Sequence, residues 1–240
     1  MAGHGNTRHM KRLASPYAWG VGRKTPKWAP KTVPGAHKQL ECMPLVILLR
    51  EKLQLAANAR EVKRALNEGL VLVDGRKIKE GDYGVGLMDV ISIPCQNKYY
   101  RILSRGRRLE ITEISEKQAN VKYAKVLDKR MVRGGKVQIS LHDGRNQLVE
   151  KEEDRFKPGD TIKFKVPEQK LEGFVKFEKG AKCFVYRGRH AGEFGELVEV
   201  IERAGSKDSD ARIKTPKGEI ITLSKYLFVV DDEFDKGKTK

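Results

Sequence analysis

The first forty residues contain no aspartate and no glutamate; the first acid is Glu41. Arg8, Lys11, Arg12, Arg23, Lys24, Lys27, Lys31 and Lys38 stand there uncompensated. Cysteine is scarce too, with three (Cys42, Cys95 and Cys183) in 240 residues. They form no C-x-x-C pair, which argues against a zinc ribbon or a disulfide framework and fits a reduced, cytoplasmic setting. Long hydrophobic runs are missing. No apolar stretch exceeds the five residues Leu45–Leu49, far short of the ~18 of a spanning helix. The basic start has no amphipathic apolar face to insert, so no membrane partner is expected. A charged n-region followed by an apolar h-region is also absent, so a secreted protein is not expected.

Catalytic signatures are lacking as well. There is no G-x-x-x-x-G-K-S/T loop, no H-E-x-x-H and no G-x-S-x-G. Gly20-Val21-Gly22 and Gly84-Val85-Gly86 each lack the third glycine of a dinucleotide fingerprint. His4, His9 and His37 have no metal-ligand spacing and are expected to meet RNA or solvent. His142-Asp143 reads as the corner of a hairpin. The chain therefore reads as a non-enzyme with no cofactor, no metal and no small-molecule substrate.

What is present is positive charge. Against 32 acids stand 49 Lys and Arg, a formal net charge of +17. A surplus spread this widely favours nucleic acid over a single acidic pocket. In residues 1–41, Tyr17, Trp19 and Trp28 are interleaved with the cations, while four prolines and five glycines break any periodicity. Such a segment cannot bury a core of its own, so it is expected to be disordered when alone. Against RNA its cations neutralise phosphates and its rings stack on bases. The competing reading is a solvated basic tail.

Residues 42–96 read as a small helical module with a hairpin. Pro44 suits the first position of a helix. A second helix is framed by Asn58 and Glu61, at the spacing of a capping box, and by Gly69 as its C′ glycine. On its wheel Val62, Ala65 and Leu66 oppose Arg60, Lys63, Arg64 and Asn67. That basic face is read as having no acid four residues on to pair with, and so as free for phosphate. Asp74-Gly75 is a turn signal flanked by Leu70–Val73 and by Arg76, Lys77 and Ile78. These features, with Ala59-Arg60-Glu61-Val62, Val73-Asp74-Gly75 and Asp89-Val90-Ile91, resemble the RNA-binding domain first named for ribosomal small-subunit protein four.

From residue 97 the pattern is strands. Val137, Ile139 and Leu141 alternate with polar residues before Asp143-Gly144. Ile162, Phe164 and Val166 alternate with Lys163 and Lys165, which points to one packed face and one face of lysines. Around the glycines at 188, 192 and 195, Arg187, Arg189 and His190 sit in a loop between two strand-like runs. This stretch resembles the KOW motif of small SH3-like barrels in ribosomal proteins and elongation factors.

The expected architecture is α+β, mostly β. It comprises a basic extension (1–41), the RNA-binding module (42–96), a central β domain (97–171), an SH3-like KOW barrel (172–230) and a mobile charged tail (231–240). That order, with Arg8-His9-Met10-Lys11-Arg12-Leu13-Ala14 and the Trp19 and Trp28 stretch, resembles the fourth small-subunit ribosomal protein of the archaeal and eukaryotic type. The resemblance implies a structural constituent of the small subunit, bound to its rRNA and to neighbouring ribosomal proteins and acting in assembly and translation. Its contacts would be the arm's cations and aromatics, Arg60, Lys63 and Arg64 with Arg76 and Lys77, and Arg187, Arg189 and His190. Two alternatives are a KOW-type transcription elongation factor and an RNA-modifying enzyme with an accessory binding module.

Overall fold

The computed structural model describes residues 9–151, 154–203 and 208–234, and the backbone of 238–239. It is mostly β, with few and short helices. The helical segment at Leu45–Ile47 widens into a π turn over Leu48–Lys52, where the Leu53 amide donates to the Leu48 carbonyl at 2.9 Å. Its apolar side chains are almost all buried, as their density requires. The helix Ala59–Asn67 begins and ends by local chemistry. The Asn58 carboxamide oxygen accepts from the amides of Arg60 and Glu61, each at 3.0 Å. Glu61 returns bonds to the Ala57 amide and the Asn58 side chain. At the other end Gly69 has φ +73°, and the Leu70 amide closes on the Ala65 carbonyl. A β-carbon is disfavoured in that left-handed conformation, which is why glycine ends the helix.

Six antiparallel strands make the first sheet, in the order Lys238–Thr239, Arg108–Ile114, Lys98–Arg105, Val90–Ile93, Leu72–Val73 and Arg76–Lys77. It runs across the division expected at 96/97, because Lys98–Arg105 pairs directly with Val90–Ile93. The central sheet has the order Asn146–Glu150, Lys136–Leu141, Val121–Met131, Thr161–Lys165, Lys170–Val175. The last sheet has the order Gly218–Leu223, Asp210–Thr215, Phe194–Ile201, Lys182–Val185, Leu227–Val229. Val137, Ile139 and Leu141 are buried as their alternation predicts. Lys163 departs from the expected free lysine face, since Asp231 pairs with it.

Both chain ends make contacts that their composition does not announce. The arm has no core of its own, but it does not need one. Met10, Trp19 and Ala29 join the module's core with Leu45, Ile47, Val62 and Leu66. Met10–Lys11 pairs antiparallel with Trp28–Ala29. Burying a whole indole offsets the ordering entropy that composition alone could not. The described residues of the tail make contacts too. Phe234 is buried against Tyr123, ring centroids 5.2 Å apart, and Lys238–Thr239 pairs with Thr112 and Glu113. Asp231 accepts from the Tyr123 hydroxyl, and Asp232 pairs with Lys182 at 2.5 Å, so the acidic patch meets partners within the chain. Residues 235–237 and 240 lie outside the described residues.

Candidate nucleic-acid interface

Burial sorts the expected RNA contacts. Arg8 lies outside the described residues. Lys11, Arg23, Lys24, Lys27 and Lys38 are exposed, and Lys31 is half-buried. Tyr17 and Trp28 are about half exposed, and the Lys27 ammonium lies 5.5 Å from the Trp28 ring centroid. Trp19 and Arg12 are buried and have partners within the chain. Trp19 is fully buried with its indole N–H on the Cys42 carbonyl. Arg12 is buried in an ion pair with Glu51, whose carboxyl is held below its ordinary range by Arg12 and Arg50 despite burial. A guanidinium so paired, and an indole so packed, have no face left for a phosphate or a base.

On the helix Ala59–Asn67, Arg60, Lys63 and Arg64 are all exposed. The face is not free of acid, contrary to the sequence reading. Glu68 stands four residues after Arg64, and its Oε1 lies 2.9 Å from the Arg64 Nε. Such an exposed pair is worth only ~0.3–0.5 kcal/mol, so a phosphate can displace it. The Asp74-Gly75 turn has φ values of +48° and +70°, the primed geometry of a two-residue hairpin. Arg76 and Lys77 stay exposed, and Lys77 lies across Gly69 at the helix end. Helix face and hairpin therefore make one basic surface.

In the loop after Val185, Arg187 and Arg189 are exposed and His190 is half-buried, 3.6 Å from Glu193. Arg187 pairs with Glu41 at 3.0 Å and lies over the Tyr226 ring. Gly195 is required where it is, because a β-carbon there would sit 2.5 Å from the Lys214 carbonyl oxygen of the adjacent strand.

A fourth basic element lies at a turn that the sequence did not single out. Arg105, Arg107 and Arg108 crown the turn between Lys98–Arg105 and Arg108–Ile114, all exposed. The Gly106 amide donates to the Ala191 carbonyl at 2.8 Å, which docks this turn on the Arg187–Gly195 loop. Arg108 stacks on Tyr17 of the arm at 5.2 Å, and Lys52 donates to the Gly20 carbonyl at 3.0 Å. The signal was local: three arginines around one glycine at a turn.

Beneath these surfaces lies a buried ionic joint. The Lys122 ammonium contacts Asp74, Asp89 at 2.6 Å and Asp143 at 3.2 Å. Arg145 bridges Asp74 at 2.6 Å and Asp143 at 3.2 Å. His37, expected to meet RNA or solvent, is instead 2.9 Å from Asp89. Burial pulls the His37 pKa down, but the Asp89 charge and hydrogen bond outweigh it and the net direction is up. Burial opposes the Asp89 charge as well, yet Lys122 and His37 hold its carboxyl far below the usual range. Asp74 moves the other way, since burial and the Asp89 charge outweigh Lys122 and Arg145 and raise its pKa. The joint sets three carboxyl groups against Lys122, Arg145 and His37. His142 stays neutral, its pKa lowered by burial to about 4. Its Nδ1 accepts from the Lys125 amide, which assigns the proton to Nε2, facing the Leu87 carbonyl. Among the described residues no group of His, Cys, Asp or Glu could hold a metal. The three carboxylates are already occupied by the Lys122 ammonium.

Family models match three stretches: an RS4NT domain over residues 4–40, an S4 domain over 43–91 and the ribosomal family S4e over 96–171. The small ribosomal subunit protein eS4 of Methanocaldococcus jannaschii is 41% identical over 97% of this chain and 98% of its own length. The chain belongs to the S4e family. The corresponding protein of Methanosphaera stadtmanae is also 41% identical, over 97% of this chain and 96% of its own. The crystal structure of the 30S ribosomal protein S4e from Thermoplasma acidophilum superposes with a TM-score of 0.68 at 27% identity, covering 82% of this chain and 98% of that one. As an S4e protein, the chain is a structural ribosomal constituent rather than an enzyme. No helix among the described residues is long and apolar enough to cross a membrane.

Proposed function

We propose that this S4e protein binds small-subunit rRNA through three basic surfaces held at fixed spacing, in cytoplasmic ribosomes. The first is the arm's exposed cations with Tyr17 and Trp28. The second is the helix face of Arg60, Lys63 and Arg64 with Arg76 and Lys77. The third is the turn at Arg105–Arg108 with Arg187 and Arg189 beside it. The carrying observation is that Arg105–Arg108 touches both the arm and the Arg187–Gly195 loop, so elements far apart in sequence offer their cations together. Cations of this kind position a protein on phosphate backbones and read RNA by shape.

The last five-stranded sheet, with left-handed glycines at 188 and 192, supports the KOW-type barrel reading of residues 172–230. The remaining exposed surface is offered to neighbouring ribosomal proteins. Sedimentation of a native lysate through sucrose, in moderate and then high salt, tests this. Co-migration with small subunits and assembled ribosomes through several hundred millimolar salt is expected. A chain at the top of the gradient, or with RNA polymerase, would defeat the reading.

A further inference from the structure

The arm, the Arg105–Arg108 turn, the central sheet and the last sheet enclose a cleft of about 1000 Å³. Lys38, Arg107 and Arg189 line it, all exposed. Among the described residues no carboxylate lies within ion-pair distance of these three side chains. Glu41 also lines the cleft, but it is paired with Arg187.

Deeper in the cleft is Lys125, only 5% exposed. Its ammonium donates to the Lys225 carbonyl at 2.8 Å and the Leu227 carbonyl at 2.6 Å. Both partners are neutral and the Tyr186 ring lies 5.7 Å away, so the buried charge has two carbonyls and an aromatic face around it but no carboxylate, and two of its three N–H donors are taken up by the carbonyls. Burial pulls its pKa down to about 8. The wall beside it carries Tyr226 with Arg187 stacked at 5.8 Å, and Leu127 stands 52% exposed.

Cations without internal partners, an aromatic–guanidinium wall and exposed apolar surface are what unpaired nucleotides use: phosphates on the charges, bases on the rings. The volume is that of a small-ligand site and is large enough for one extruded base.

We propose that this cleft takes an unpaired nucleotide of the bound RNA. Arg107 and Arg189 hold its phosphate, and its base stacks on the Tyr226–Arg187 wall. Lys125 donates its remaining N–H to an acceptor on the base edge. The proposal rests on the rRNA binding proposed above and assigns one pocket of it.

The full chain is titrated with a short labelled oligoadenylate and, separately, with a small-subunit rRNA transcript. Arg107→Gln with Arg189→Gln, and Tyr226→Leu, are each expected to weaken oligoadenylate binding about tenfold or more. Tyr226→Phe restores it. Both arginines are exposed, so their loss leaves the fold intact, which thermal unfolding of each variant verifies. Unchanged oligoadenylate affinity in these variants, while the unsubstituted chain binds the transcript, overturns the cleft and leaves the proposed function standing. A wild-type chain that binds neither RNA overturns both. A photo-crosslinker in place of Leu127, irradiated in assembled subunits, should attach to RNA. Attachment to a segment of another protein overturns the assignment.

Discussion

The Lys122 Nζ lies 2.6 Å from the Asp89 Oδ1, joining a strand of the central sheet to the start of the RNA-binding module's closing strand with both side chains almost fully buried. Asp74 and Asp143 share the same ammonium. Removing it leaves three buried carboxyl groups against Arg145 and His37 alone. Breaking a buried pair in this way costs ~3–5 kcal/mol. Lys122→Met should therefore lower the unfolding free energy by about that amount in urea titration. A loss below ~1 kcal/mol would mean the joint relaxes or admits water, as an exposed pair does.

His37 makes the joint sensitive to alkali. Its pKa is raised on folding, since the pull of the Asp89 charge and hydrogen bond exceeds the opposing burial. A group raised on folding contributes stability in full below its unfolded value of ~6.5, and that contribution is lost as pH rises through the folded value. The stability gap between the wild type and His37→Gln should be widest near pH ~6 and narrow steadily toward pH ~9. Unfolding midpoints across that range check it. A gap that widens with pH would show that His37 is neutral in the fold.

Local chemistry was legible in the sequence. The Asn58 cap, the Gly69 stop, the Asp74-Gly75 turn and the buried alternation of Val137, Ile139 and Leu141 each follow from residues within a few positions of one another. The family resemblance rested on the same local signals. The joint could not be read that way, because His37, Asp74, Asp89, Lys122, Asp143 and Arg145 meet only once three segments have folded together. The contacts of arm and tail are hidden from the sequence for the same reason. Composition shows that residues 1–41 cannot make a core, but not that Trp19 and Met10 enter another segment's core. The turn at Arg105–Arg108 was visible as a basic run; its importance comes from Gly106 meeting Ala191, which sequence does not display.

The two tryptophans report the arm's order separately. Trp19 is fully buried, whereas Trp28 is 52% exposed. Trp28→Phe should leave a blue-shifted emission that iodide barely quenches. Trp19→Phe should leave a red-shifted emission that iodide quenches readily. Adding the rRNA transcript should change the signal of Trp28 and leave that of Trp19. Trp19→Ala, which empties a large core site, should cost ~3–5 kcal/mol. Equal quenching of both tryptophans in the free chain would restore the disordered arm.

The helix face is tested by salt. Arg60, Lys63 and Arg64 are exposed, and the Arg64–Glu68 pair is too solvated to hold Arg64 back from a phosphate. Each phosphate contact that releases counterions contributes ~0.7–0.9 to the slope of log affinity against log salt. Replacing all three residues by Gln should lower that slope by up to ~2–3 and weaken transcript binding most at low salt. Glu68→Gln frees Arg64 and should tighten binding slightly. If the triple variant keeps the wild-type slope while Arg107→Gln with Arg189→Gln lowers it, the RNA lies on the cleft side of the molecule and this helix faces solvent or a neighbouring protein.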